Sequence, residues 1–180
     1  MTEPSPRLIP LIDAARIRAR VAEMVDRLAG DCGQDELVFI GILHGSFMFL
    51  ADLVRELDRH RIHPRIDFMI LQSYGSGTES SGTVRLVKDT ASEVAGRAVV
   101  VVDDILDTGR TLQVACEHLR ARGAASVRTC VLLDKPARRV VPVRADFAGF
   151  EIEDVFVVGY GLDWDHRFRE LPYLARVEPA

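Results

Sequence analysis

The chain has 180 residues, enough for one domain with a substantial core, and 48% of them are apolar against 28% charged. That balance excludes a disordered or fibrous chain, and no apolar run approaches the roughly 20 residues that a membrane-crossing helix needs. The formal net charge of -4 provides no global attraction to nucleic acid or to an anionic membrane.

Residues 13–30 carry Ile17, Val21, Met24, Val25 and Leu28 at helical spacing, with Asp13 as N-cap and Gly30 as stop. LVFIGIL (37–43) has the unbroken apolar character of a buried strand. His44-Gly45-Ser46 interrupts it, and a helix follows over 47–57. Residues 66–74 read as a second strand. SYGSGTESSGT (73–83) is rich in small polar residues and reads as a mobile loop, with a short returning strand at 84–87. The most apolar strand is 98–102. A helix over 111–122 follows it and ends at Gly123. A strand at 127–133 leads into the basic loop KPARR (135–139), and short strands close the pattern at 145–150 and 155–158. Continuous apolar strands alternating with helices predict an α/β fold, a parallel sheet covered on both faces. No repeat or shift in composition marks a second domain, so residues 1–180 are expected to form one.

Cys32, Cys116 and Cys130 form no CxxC pair and are odd in number, which predicts free thiols in a reducing compartment, with Cys116 and Cys130 as core filler. MTEPSPRLIPLID has no basic flank ahead of an apolar core, so no secretory signal is expected and the location should be cytoplasmic.

Ligands of parallel α/β sheets sit at the carboxyl ends of the strands. Three strands end in chemically loaded loops here: His44-Gly45-Ser46, residues 103–111, and residues 135–139. They should converge on one edge of the sheet. The densest is VVVVDDILDTGRTL (99–112). Residues 107–111 stand between a strand and a helix, where unpaired amides and the helix dipole favour an anion. Gly109 permits close approach of a ligand, and Thr108 and Thr111 add hydroxyl donors, so the segment suits a phosphate. It is not a Walker-type loop, because Asp104 occupies the place of that motif's first glycine, and no GxGxxG is present. Asp103 and Asp104 would repel a phosphate but suit a vicinal diol or Mg²⁺, held directly or through water. Asp107 is left near the reacting centre, where a carboxylate can take a proton from a nitrogen nucleophile. The plainer alternative makes all three aspartates solvated turn residues or a helix cap. Three carboxylates behind a four-valine strand argue against it.

This motif resembles the phosphoribosyl pyrophosphate (PRPP) motif of the type I phosphoribosyltransferases. LHGSFMFLADLVREL (43–57), QSYGSG (72–77), LLDKPARR (132–139) and FVVGYGLDWDHRFRELPY (156–173) are similar, in order, to the bacterial hypoxanthine-guanine phosphoribosyltransferases. The resemblance implies a parallel sheet flanked by helices, with a small hood built from about 1–36 and 150–180. It implies transfer of phosphoribosyl from PRPP to a 6-oxopurine base, Mg²⁺ as cofactor, a homodimer or homotetramer, and no nucleic-acid or membrane partner. By position, Asp103 and Asp104 resemble the acids that hold the ribose hydroxyls and, indirectly, magnesium. Asp107 resembles the general base acting on purine N7, and Thr108, Gly109, Arg110 and Thr111 the 5′-phosphate loop. His44 and Gly45 fall at the pyrophosphate, where the resemblance also implies a cis peptide between Leu43 and His44. Lys135 resembles the donor to the purine O6, Phe156 the stacking aromatic, and Val157 the backbone that reads the base edge. Asp163 resembles a magnesium ligand beside the purine, Arg169 a pyrophosphate contact, and Ser73 and Tyr74 the closing lid.

Two departures stand out: Asp103 replaces the usual Glu, and His44 replaces the usual Lys or Arg, a weaker and pH-dependent charge. Plainer readings accompany several residues: a solvated surface position for Lys135, a core position for Phe156, hood packing for Trp164, and subunit contacts or a solvated turn for Arg138 and Arg139. The rival inside the fold is a uracil phosphoribosyltransferase that doubles as an RNA-binding regulator, of which VRADFAG (143–149) is reminiscent. The 156–173 segment, Lys135 and the acidic charge weigh against it. A structural subunit without activity is the third reading, opposed by the three aspartates. Adenine is disfavoured by a donor at Lys135, while xanthine stays open.

Overall fold

A computed structural model describes residues 6–31, 37–74 and 83–178, with the side chains of Ser73 and Tyr74 outside that description. In chain order the elements are Arg7–Ile12 (β1), Ala14–Asp31 (α1), Leu37–Leu43 (β2), Phe47–Leu57 (α2), Arg65–Tyr74 (β3), Thr83–Lys88 (β4), Ala98–Leu106 (β5), Arg110–Ala121 (α3), Ser126–Asp134 (β6), Phe147–Glu151 (β7), Val157–Val158 (β8) and Leu174–Glu178 (β9).

The valines of β5 are fully buried, which is possible only for a strand covered on both faces. Side chains alternate along it. Val100 and Val102 face the core shared with α1 and α2, and Val99 and Val101 face the core shared with α3. The six-stranded sheet has the order β4-β3-β2-β5-β6-β7. Its neighbours are parallel except β4, which returns antiparallel beside β3. The sheet is therefore α/β and predominantly parallel, as the apolar pattern predicts. β1, β9 and β8 form a separate small antiparallel sheet. Among the described residues, no helix is long and apolar enough to cross a membrane. Cys116 and Cys130 are buried, as core filler should be, and burial raises the Cys116 thiol to about 11.

Local differences from the sequence reading have physical causes. β5 does not stop at Val102, because Asp103, Ile105 and Leu106 go on pairing with Val131, Leu133 and Asp134 of β6. The first two aspartates therefore ride on the strand itself. Asp13 does cap α1, its Oδ1 accepting from the Arg16 amide at 2.8 Å. Gly30 does not stop that helix; it lies in the last turn, in open space. β8 pairs with β9 and not with the main sheet. Of the 73–83 loop, residues 75–82 lie outside the described residues.

A polar cluster fastens the segment after β4. Asp67 accepts from the Thr90 hydroxyl and from the amides of Phe68 and Ser92, at 2.8 and 2.7 Å. Burial alone would raise the Asp67 carboxyl, but these hydrogen bonds outweigh it and hold it at about 2. A carboxyl lowered from 3.8 contributes stability that is present above pH 3.8 and lost as pH falls through about 2. Asp67→Asn is expected to cost about 1–3 kcal/mol at neutral pH. Urea melts between pH 4 and pH 2 should show a shallower loss of stability than in the parent. An unchanged acid slope would remove Asp67 as its source.

Candidate active site

A cavity of about 700 Å³ opens at the carboxyl ends of β2, β5 and β6. Its walls bring together His44, Gly45, Asp103, Asp104, Asp107, Thr108, Gly109, Arg110, Thr111, Lys135, Phe156, Val157, Asp163 and Arg169. The three loaded loops thus meet at one sheet edge, and the segment around β8 closes over them. Of the residues singled out from sequence, Ser73 and Tyr74 have side chains outside the described structure. They end β3 beside Val84 and Thr83, and the loop beyond them lies outside the described residues.

The acid pair sits at the end of β5. The Asp104 amide donates to Asp103 Oδ1 at 3.0 Å, and the Ile105 amide to Asp104 Oδ1 at 2.9 Å. Burial, then the Asp104 charge beside it, pushes the Asp103 carboxyl well up. Burial also raises Asp104, against the hydrogen bonds it accepts and the charge of Arg169. Two crowded carboxylates in a low-dielectric wall favour hydroxyl donors or a cation.

Gly45 makes this crowding possible, since a Cβ there would lie 1.6 Å from Asp104 Oδ2. The Leu43–His44 peptide before it is cis, and the His44 side chain is exposed to the cavity mouth. Ser46 is buried and donates to the Ile42 carbonyl at 2.6 Å, closing the turn from β2 into α2. On its other side Gly45 meets the covering segment: a Cβ on Gly161 would lie 2.1 Å from the Gly45 carbonyl oxygen. Arg169 Nη1 donates to the Gly161 carbonyl at 2.6 Å, and its Nη2 pairs with Asp163 Oδ1 at 2.8 Å.

Gly109 precedes α3 with φ +87, a conformation that favours glycine. The Gln113 amide bonds the Gly109 carbonyl at 2.9 Å, so the amides of the helix's first turn have no intrahelical partner. Beside them, Asp107 Oδ1 is buried and accepts no hydrogen bond. Arg138 Nε lies 3.4 Å from it, close enough for charge attraction. That oxygen thus has a charge partner but makes no hydrogen bond.

Lys135 and Phe156 line the same cavity. Lys135 is 7% exposed, with Nζ 3.5 Å from Asp154 Oδ1, so it is no solvated surface lysine. Phe156 is 56% exposed and lines the cavity, which rules out the core position. Trp164 stacks on Phe168 with ring centroids 6.5 Å apart, a packing role. Arg139 departs from expectation. Its side chain is only 16% exposed, and its hydrogen bonds run inward to the 106–107 backbone. Asp154 and Gly161 went unmarked in the sequence, because an acid in a loop and one glycine among thirteen carry no periodic signal.

Known proteins converge on the same architecture. The phosphoribosyl transferase domain matches residues 12–165. The hypoxanthine phosphoribosyltransferase of Escherichia coli K12 is 44% identical over 170 residues, 93% of each chain. The hypoxanthine-guanine phosphoribosyltransferase of Bacillus subtilis is 41% identical over 170 residues, 94% of this chain and 93% of its own. A crystal structure of a hypoxanthine phosphoribosyltransferase from Staphylococcus aureus superposes with a TM-score of 0.88 at 40% identity, covering 95% of this chain and 91% of that one. None of these carries the uracil or RNA-binding description of the rival reading. With the domain match spanning most of the sequence and the cavity built from its loops, the chain belongs to the phosphoribosyl transferase family.

Proposed function

We propose that the protein serves purine salvage by transferring 5-phosphoribosyl from PRPP to hypoxanthine or guanine, releasing pyrophosphate and IMP or GMP. The observation that carries this reading is Asp107 Oδ1, buried without a hydrogen bond and with only the Arg138 charge beside it, in a cavity that residues 108–111, Lys135 and Phe156 also line. A phosphate held by residues 107–111 and a ribose diol held by Asp103 and Asp104 put ribose C1 on the Asp107 side of the cavity. The base stacks on Phe156, the Val157 backbone reads its edge, and Lys135 donates to its O6. Such a donor suits a 6-oxo group and leaves adenine's amino group unmatched. As purine N9 bonds to C1 and the bond to pyrophosphate breaks, the proton on N7 passes to Asp107. Arg169, His44 and the Gly45 backbone receive the pyrophosphate. Ser73 and Tyr74 belong to the segment that closes over the reaction and excludes water.

The acids fit magnesium. Among the described residues no three His, Cys, Asp or Glu side chains form a closed metal cage. Magnesium does not need one, since it binds through one or two carboxylates and takes its other oxygens from water and substrate. Asp103 and Asp104 supply crowded carboxylates with unmet demand for a cation, and Asp163 lines the same cavity. Bound there with PRPP, the ion would neutralise charge developing on the leaving pyrophosphate. The reading also places the protein in the cytoplasm as a homodimer or homotetramer.

Product formation from PRPP with hypoxanthine, guanine, xanthine, adenine and uracil, each with Mg²⁺ and with EDTA, tests it. Hypoxanthine or guanine should turn over and EDTA should abolish the reaction. Turnover of uracil alone, or of no base, would refute the proposal.

A further inference from the structure

The sequence reads Arg139 as a surface residue, yet it bridges the back of the 106–109 segment. Its Nε donates to the Asp107 carbonyl at 2.9 Å and its Nη2 to the Leu106 carbonyl at 3.1 Å. Its Nη1 donates to the Val143 carbonyl, and the Asp134 carboxylate pairs with the guanidinium. The next carbonyl, that of Thr108, accepts from the amides of Val140 and Val141 at 3.0 and 3.3 Å. Three successive carbonyls, 106 to 108, thus all accept from residues 139–141; the first also accepts from the Lys135 amide at 3.0 Å, and the second and third are the strap's own. Packing is equally close: a Cβ on Gly109 would lie 3.0 Å from Arg139 Cδ and 2.8 Å from Val141 Cγ2.

Peptide planarity gives this strap a consequence. In a trans peptide the C=O of one residue and the N–H of the next point in opposite directions. Holding the carbonyls of Leu106, Asp107 and Thr108 toward the strap turns the amides of Asp107, Thr108 and Gly109 away from it. These residues line the cavity on their other side. Consecutive amides held this way form an anion-binding concavity. Only a guanidinium carries donors in a fixed planar fork able to hold several carbonyls at once; a lysine ammonium does not. Asp134 balances the charge, so Arg139 acts through geometry and not as a cation offered to the ligand.

We propose that Arg139 is a positioning residue for PRPP, setting the peptide planes of the 5′-phosphate loop from behind. The inference rests on the reading of residues 107–111 as that loop. Arg122 provides a matched control remote from the cavity, donating to the Thr90 and Ser92 carbonyls and to Asp89, each at 3.1 Å.

Steady-state kinetics and melting curves of Arg139→Gln, Arg139→Lys, Arg122→Gln and Thr111→Val against the parent decide the matter. Arg139→Gln should raise KM for PRPP by about ten- to a hundredfold, as a misplacement of about 1 Å does, and leave KM for the purine at saturating PRPP within about threefold. Arg139→Lys should recover melting temperature but not the KM, and it carries the test if the glutamine variant does not fold. Arg122→Gln should lower the melting temperature with KM for PRPP unchanged. A PRPP KM near the parent's in the Arg139 variants, or one that Arg122→Gln reproduces, would overturn the proposal. Thr111→Val separates the two levels of inference. If it raises KM for PRPP while the Arg139 variants do not, the strap role falls and the phosphate-loop reading stands. If neither moves KM, both fall.

Discussion

Asp107→Asn is expected to lower kcat by roughly 10²–10⁴-fold while the protein stays folded. The substitution keeps the shape of the side chain and removes its capacity to accept a proton. Stability should hardly change, because Asp107 Oδ1 accepts no hydrogen bond in the free protein, and the contact that fastens the residue is made by its backbone carbonyl to Arg139. Arg138 Nε, 3.4 Å from that oxygen, would lose its charge partner but keeps Asp154 within 3.8 Å of Nη1. The loss should therefore appear in kcat, with KM for PRPP moved by no more than about threefold, since the phosphate and diol contacts remain. Turnover of hypoxanthine and guanine at saturating PRPP provides the measurement. A loss of less than tenfold would remove Asp107 as the base.

What the sequence made legible follows from local chemistry. LVFIGIL and FMFLADLVREL match β2 and α2 to the residue, because each is an apolar pattern bounded by a breaker. The end of β5 was not legible in the same way. Hydropathy changes at Asp103, but backbone pairing is indifferent to side-chain charge and continues to Leu106. β1 and β9 depend on pairing Arg7 with Glu178 across nearly the whole chain, and Pro10 hides the strand character of RLIPLI. The cavity was legible as three loops at strand ends, but not in which neighbours support them. Arg138 and Arg139 read alike in PARR, yet their side chains are 44% and 16% exposed. Only the return of residues 139–143 beneath β5's end tells them apart. Likewise, GYG in the covering segment does not announce that Gly161 abuts the Gly45 carbonyl, since that contact joins residues far apart in the chain.

Gly45→Ala should lower kcat/KM for PRPP by about 10²-fold or more, although the added group is one methyl. Its Cβ would lie 1.6 Å from Asp104 Oδ2 and 2.5 Å from Asp104 Cγ, so one of the two must move. The Gly45 backbone has little room to retreat, because Gly161 packs against its carbonyl on the other side. The end of the Asp104 side chain is the softer partner and gives way. The acid pair then loses the arrangement in which it would hold the ribose diol and the metal, while the core is untouched. The expected signature is a raised KM for PRPP and weaker magnesium dependence with a near-normal melting temperature. Gly161→Ala should differ: its Cβ would meet a backbone carbonyl at 2.1 Å at φ +103, so stability should fall as well. A double-mutant cycle isolates the cause. If the effect of Gly45→Ala runs through the Asp104 carboxylate, it should largely vanish in an Asp104→Ala background. Full additivity of the two changes, or parent-like kinetics in Gly45→Ala alone, would show that the close approach of Gly45 to Asp104 is not what the site requires.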